Sequence, residues 1–496
     1  MLNGFIKRGF AVVLVSAPMV LLLVAAHPLK AQTQNSSAEV ERLRQMVVDL
    51  QRRVAALEAE RGVGGNPAGG SGESGPQAAA ALETAAVELK GPGASAPAKI
   101  PGATNAGAAL QPAPPESPAP ASLPGGATLN YYLDGYYEYN FNDPAGRVND
   151  LRAYDVLSNV FSLNQTGLVF DWDPDLAAHR RYGFRVDLQF GQATETLQGN
   201  PANEARPEIY RNIFQAYGSY IVPVGSGVHV DVGKWASSLG IEGNYTKDQM
   251  NYSRSWYFYF LPFYHEGVRA SYTVNRWLTA NYWVVNGTNQ SEPTNGYKDE
   301  MFGVVLQPMS TISWTLNSYL GQENPDAAPS TSCTVPVQPG LCLTPIDPAP
   351  NGKLHILDSY ATWQVNPKLE LAGEGDYVVD RVWANAAPGE SSAPSHVDGG
   401  VAYAQYQFTP RRALALRAEY LSDPDGMFSN ASQALKEVTG TYKYSLADNF
   451  DVFLEYRHDW SNRAYFVTDK PASPRGYQDT AGIGMVWWYG GKQGSW

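Results

Sequence analysis

The chain has 496 residues and a formal net charge of −12, a balance that argues against a nucleic-acid partner, because holding phosphates takes a surplus of Lys and Arg. Tyr (30), Trp (12) and Gly (47) are abundant, whereas Leu-rich helical segments are scarce after the N-terminal part. Aromatic and Gly enrichment with few helix formers favours many strands and excludes a mainly helical protein.

The first predicted element is a secretory signal, residues 1–31. Lys7 and Arg8 precede an apolar run from Phe10 to Ala26, and small residues put cleavage after Ala26 or Ala31. A retained membrane anchor is the alternative, and no second long apolar run follows. Residues 36–61 carry a heptad: Val40, Leu43, Val47, Leu50, Val54 and Leu57 recur at spacings of three and four. Val at a and Leu at d predict a short coiled coil that buries its stripe by self-association; a single amphipathic helix lying on another surface is the other reading. Residues 62–127 are rich in Gly, Pro, Ala and Ser, a disordered or semi-extended linker. Its length would let the N-terminal region touch a cell-wall layer; a plain spacer is the favoured reading.

From residue 128 to 496 the pattern is all-β. Short runs alternate polar and apolar, as in Phe184-Arg185-Val186-Asp187-Leu188-Gln189-Phe190 and Val452-Phe453-Leu454-Glu455-Tyr456-Arg457. Successive strand side chains point to opposite faces, so one face is apolar and the other charged. Seven short connections are expected at 173–180, 224–227, 274–276, 308–310, 366–367, 409–411 and 447–449. Eight longer loops interleave with them, at 143–158, 193–212, 237–261, 287–298, 323–352, 381–396, 423–433 and 461–478. Strict interleaving gives about sixteen strands with both chain ends on the short-turn side. Even strand number, short turns on one rim and long loops on the other predict a transmembrane antiparallel β-barrel with lipid outside and water inside. Closure removes the sheet edges that lipid would leave unsatisfied.

The charged face is expected to line the pore. It includes Arg185, Asp187, Asp231, Arg269, Glu374, Asp376, Arg417, Glu419, Glu455 and Arg457, with Gln189, His229, Glu370 and Asp459. Acidic side chains outnumber Arg on this face two to one, which predicts a mild cation preference. The competing reading pairs these charges with one another, so that they fill the lumen. In the loop 237–261, Glu242, Lys247, Asp248 and Arg254 precede Trp256-Tyr257-Phe258-Tyr259-Phe260. Either the loop narrows the barrel, with Arg254 lining the constriction, or Trp256 to Phe260 begins the sixth strand as an interfacial aromatic belt; the belt is the favoured reading. Cys333 and Cys342 lie in one Pro-rich loop and are expected to form a local disulfide, since two cysteines without a nearby histidine do not make a metal site. No metal and no cofactor are expected.

Several stretches carry a family resemblance. They are Gln215-Ala216-Tyr217-Gly218-Ser219-Tyr220, Pro223 to Val228, Asp231-Val232-Gly233-Lys234, Asn251 to Ser255 and Pro262 to Ala270, with Phe161 to Gln165 and Val284 to Gly287. Over most of 128–496 the chain resembles the putative beta-barrel porin-2 family. The resemblance implies a porin of the bacterial outer membrane that passes small hydrophilic solutes by diffusion. A coiled coil ahead of a barrel also resembles some trimeric porins, so a homotrimer is expected. A structural tether or adhesin with a plugged barrel is the alternative. An enzymatic barrel is not expected. The outer-membrane phospholipase motif needs a serine two positions after a histidine, and none of the seven histidines has one.

Overall fold

The computed structural model describes residues 123–496 except 199–203, 205, 294, 324–326, 330–335, 339–340, 346–352, 382–392 and 493–494. The signal, coiled coil and most of the linker therefore lie outside the described residues, as does Cys333 and with it the expected disulfide.

Sixteen strands close into one antiparallel barrel. In chain order they are β1 (Thr128–Asn140), β2 (Val160–Trp172), β3 (Tyr182–Phe190), β4 (Ile213–Val222), β5 (Val228–Ala236), β6 (Tyr264–Asn275), β7 (Leu278–Val285) and β8 (Asp299–Met309). There follow β9 (Ile312–Gln322), β10 (Lys353–Asn366), β11 (Leu369–Asp380), β12 (Ser395–Thr409), β13 (Arg412–Asp423), β14 (Gln433–Ala447), β15 (Phe450–Ser461) and β16 (Tyr477–Gly490). Each strand pairs with its sequence neighbours. β1 returns to β16 in a register running from Asn130 opposite Gly490 to Asn140 opposite Thr480. No sheet edge is left, so every strand can meet lipid without exposing backbone N–H or C=O groups. All seven short connections and all eight long ones fall where alternation placed them. Within the loop between β9 and β10, Ala327–Pro329, Pro336–Gln338 and Leu341–Pro345 make a small separate sheet.

Short-turn chemistry is local. Asn275 Oδ1 accepts from Trp277 N at 2.9 Å, and Asn366 Oδ1 accepts from Lys368 N and Leu369 N at 2.9 and 3.1 Å. Asn reverses the chain there by mimicking a backbone acceptor. Between β4 and β5, Gly225 and Gly227 take positive φ (58° and 101°), a region costly for other residues.

β13 shows why the wall forms. Leu414, Leu416 and Tyr420 are exposed while Ala413, Ala415, Arg417, Glu419 and Leu421 are buried. The exposed row continues round the outside with Phe184, Val232, Leu454 and Tyr456. Aromatic side chains collect at both rims: Tyr137 against Phe161 (ring centroids 4.7 Å apart) on the long-loop side, and Phe170 stacked on Phe184 (5.3 Å) with Trp172 and Tyr182 on the short-turn side. An apolar band between aromatic girdles is the outer surface of a membrane barrel.

Inside, one expectation needs correction. The inner face is not uniformly polar. Trp235, Trp283, Met301, Tyr319, Ile356, Val378, Val397, Leu421 and Leu435 form a buried apolar cluster around Trp256, Tyr257 and Leu261. The alternation was right, but this part of the inner wall packs against protein rather than water.

Candidate functional site: a loop across the barrel interior

The β5–β6 connection, residues 237–263, turns into the barrel. A segment withdrawn from water must find partners for its backbone polar groups. Here inward carboxylates on several strands supply acceptors. Glu374 on β11 accepts from Ile241 N at 2.9 Å. Glu455 on β15 accepts from Tyr252 N and Ser253 N at 2.7 and 2.9 Å. Glu419 on β13 accepts from Trp256 N and Tyr257 N at 2.9 and 3.1 Å. Asp134 on β1 accepts from the hydroxyls of Thr246 and Tyr252 at 2.6 and 2.7 Å, and Asp187 on β3 accepts from the Tyr245 hydroxyl. The loop is thus fastened to strands on opposite sides of the barrel.

Trp256–Phe260 is a helical turn, and β6 begins only at Tyr264, so the aromatic-belt expectation is corrected. The cause is capping. Ser255 Oγ accepts from Phe258 N at 3.0 Å, and the Glu419 carboxylate takes two more N–H groups at the positive end of the turn. Trp256 and Tyr257 are fully buried against the apolar inner cluster. The other reading of this segment, a loop that narrows the barrel, describes the structure.

Arg254 does not face an opening. Its guanidinium donates to Gly243 O (3.0 Å), Tyr252 O (2.7 Å), Asn244 O (3.1 Å) and Thr246 Oγ1 (3.1 Å), and lies over the Tyr154 ring. Five donors in a planar fork suit a brace for carbonyls cut off from water. The sequence reading of Arg254 as a lining charge is corrected to an internal support of the loop.

The strand charges expected to line the pore all point inward, and most are ion-paired. Arg185 pairs with Asp187 at 2.8 Å and Arg269 with Asp231 at 2.7 Å. Asp231 also accepts from Ser219 Oγ at 2.6 Å and meets His229 Nε2 at 2.9 Å. Arg417 pairs with Glu437 at 2.6 Å and Glu242 at 3.0 Å, and donates to Ser253 O at 2.7 Å. Arg457 pairs with Asp459 at 2.7 Å and Glu437 at 3.4 Å, and donates to Arg254 O at 2.6 Å. Glu374 and Asp376 stand together on β11. Glu455 and His229 are half-buried; the others of the expected set are exposed by 7 % or less. Charges paired with one another and filling the interior describe Arg185, Asp187, Asp231, Arg269, Arg417, Arg457 and Asp459, whereas Glu370, Glu374, Asp376, Glu419 and Glu455 form no ion pair among the described residues.

Sequence reasoning missed four partners: Arg152, Glu437, Asp134 and Asp358. Arg152 reaches in from the β1–β2 loop to Asp155 (2.5 Å) and Asp459 (2.7 Å), a contact no alternation announces. Glu437 stands beside Lys436, so charge appears on both faces and blurs the pattern. Asp358 lies in Ile356-Leu357-Asp358-Ser359-Tyr360, where apolar inner neighbours hide it. The chain end adds a further inner contact. Trp496 packs on Tyr132 and Tyr245 with Lys247 Nζ 4.5 Å above its ring, while Trp487 and Tyr489 stay on the outer face.

A family model described as putative beta-barrel porin-2, OmpL-like, matches residues 126–487. Among solved structures, an anion-selective porin from Comamonas acidovorans is 10% identical, covering 73% of this chain and 99% of that one, with a TM-score of 0.45. A loop L8 deletion mutant of OmpT, an outer membrane protein of Vibrio cholerae, is 11% identical over 73% of this chain and 99% of its own, with a TM-score of 0.43. OmpF of Salmonella typhi, solved with daunomycin, is 12% identical over 73% and 97%, with a TM-score of 0.42. No curated protein matches.

Proposed function

Because the chain belongs to the beta-barrel porin-2 family and resides in the bacterial outer membrane, we propose that its barrel is a constricted porin for passive diffusion of small hydrophilic solutes. The observation that carries this reading is the loop 237–263, held across the interior by carboxylates on five strands. A free loop would be displaced by solvent and solute. A loop tied by backbone hydrogen bonds sets a fixed, narrow passage and so a size limit.

The reading includes a mild cation preference. Acidic side chains exceed Arg on the inner face, and a narrow passage between low-dielectric walls magnifies the surplus. It also includes homotrimer formation through residues 36–61, and contact of that region with the cell wall. The reading assigns transport rather than chemistry to the barrel.

Single-channel conductance of the purified protein in planar bilayers, with a panel of sugars and organic acids, is the test. Small stepwise conductance is expected, rising several-fold when residues 243–254 are deleted. Arg269→Ala frees Asp231 and is expected to shift the reversal potential further toward cation preference. The near-complete burial of the inner charges favours a second reading, a plugged barrel serving as a tether. In that case the wild-type protein is silent and only the loop deletion conducts.

A further inference from the structure

Asp358 on β10 and Glu374 and Asp376 on β11 form a compact group of three buried carboxylates, one oxygen from each lying within 4.8 Å of the others. The barrel backbone enforces the grouping. Asp358 is the register partner of Asp376, and Glu374 is two residues away on the same inner face. Two oxygens of the group are occupied: Asp358 Oδ2 accepts from Asn317 Nδ2 at 2.8 Å, and Glu374 Oε2 from Ile241 N at 2.9 Å. Four accept no hydrogen bond from outside the group: Asp358 Oδ1, Glu374 Oε1 and both oxygens of Asp376, which touches the other two carboxyls. Asp376 is 5% exposed, and no group outside the three carboxyls meets either of its oxygens. Among the described residues no Lys or Arg forms an ion pair with any of the three.

Elsewhere inside the barrel, Asp187 and Glu437 are answered by Arg, Glu419 and Glu455 by loop N–H groups, and Asp134 by hydroxyls. Asp376 has no such partner, and carboxyls packed together out of water must hold protons or a counter-charge. We propose that Asp358, Glu374 and Asp376 bind a divalent cation, with Ca2+ the better fit. Ca2+ takes several carboxylate oxygens in irregular geometry, whereas Mg2+ prefers to keep its waters. The site lies where the constriction loop meets the wall. Glu374 holds Ile241 N, and Ser238 O accepts from Asn317 Nδ2 and the Tyr360 hydroxyl, both at 3.1 Å. A bound cation would draw β10, β11 and the start of the loop into one rigid unit.

The test uses the full chain, folded in detergent and stripped with EDTA, and reads metal binding rather than conductance. Its failure is therefore separate from failure of the porin reading. Calorimetric titration with CaCl2 is expected to show one saturable site, and Asp376→Asn is expected to weaken it by about tenfold or more, since affinity follows ligand charge. Melting adds a second readout. In EDTA, Asp376→Asn melts above the wild type because repulsion is relieved; in Ca2+ the order reverses. Absence of saturable binding in the wild type, unchanged binding in Asp376→Asn, or a melting order indifferent to Ca2+ each overturns the proposal, and the first needs no variant to fold.

Discussion

Arg417 joins the wall to the loop. Its guanidinium meets Glu437, Glu242, Ser253 O and Ser253 Oγ, and it is 1 % exposed. Removing it leaves Glu242 without its cation and Glu437 with only the longer pair to Arg457, and an uncompensated buried carboxylate is worse than one never buried. Arg417→Ala is expected to cost about 3–5 kcal/mol, read from urea unfolding in lipid vesicles. Arg417→Lys is expected to recover only part of that, because one ammonium cannot reproduce the fork that serves side chain and backbone together.

At the scale of elements, the long loops are clasped to each other as well as to the wall. Glu323, just after β9, accepts from Thr288 N at 3.1 Å and Gln290 Nε2 at 2.7 Å in the β7–β8 loop. Burial and the neighbouring Asp299 carboxylate push the Glu323 carboxyl well above the usual range. A carboxyl raised in the fold binds its proton more tightly there than in the unfolded chain. Its contribution is full at acid pH and is lost as pH climbs from the unfolded value toward the folded one. Glu323→Gln keeps an acceptor without the charge, so it is expected to melt above the wild type at neutral pH. The gap should close near pH 4, around the ordinary glutamate value. Melting curves across that range check the sign.

At the scale of the whole molecule, the barrel is stable only as a closed wall with an apolar outside. Leu416 is 50 % exposed near the middle of β13. Leu416→Arg is expected to cost about 2–4 kcal/mol in the folding equilibrium into vesicles, whereas the same residue type at position 417 is required on the other face. The proposed trimer depends on a different part of the chain. Deleting residues 36–61 is expected to lower the mass in sedimentation from three chains to one, with heat-modifiable migration of the barrel unchanged.

The barrel was legible in the sequence because alternation has a period of two and the turns have their own chemistry. Leu414, Leu416 and Arg417 reveal their faces one residue at a time, and Asn275 and Asn366 mark reversals through contacts two and three residues away. Strand number, loop order and the inward set of charges follow from such local signals. The interior was decided only by tertiary structure. Whether Arg417 lines water or braces a loop depends on residues 237–263 entering the barrel, through bonds between groups more than a hundred residues apart, as in Ile241 N to Glu374 and Trp256 N to Glu419. Periodicity tells which way a side chain points, but a partner that arrives across a closed barrel leaves no trace in the spacing.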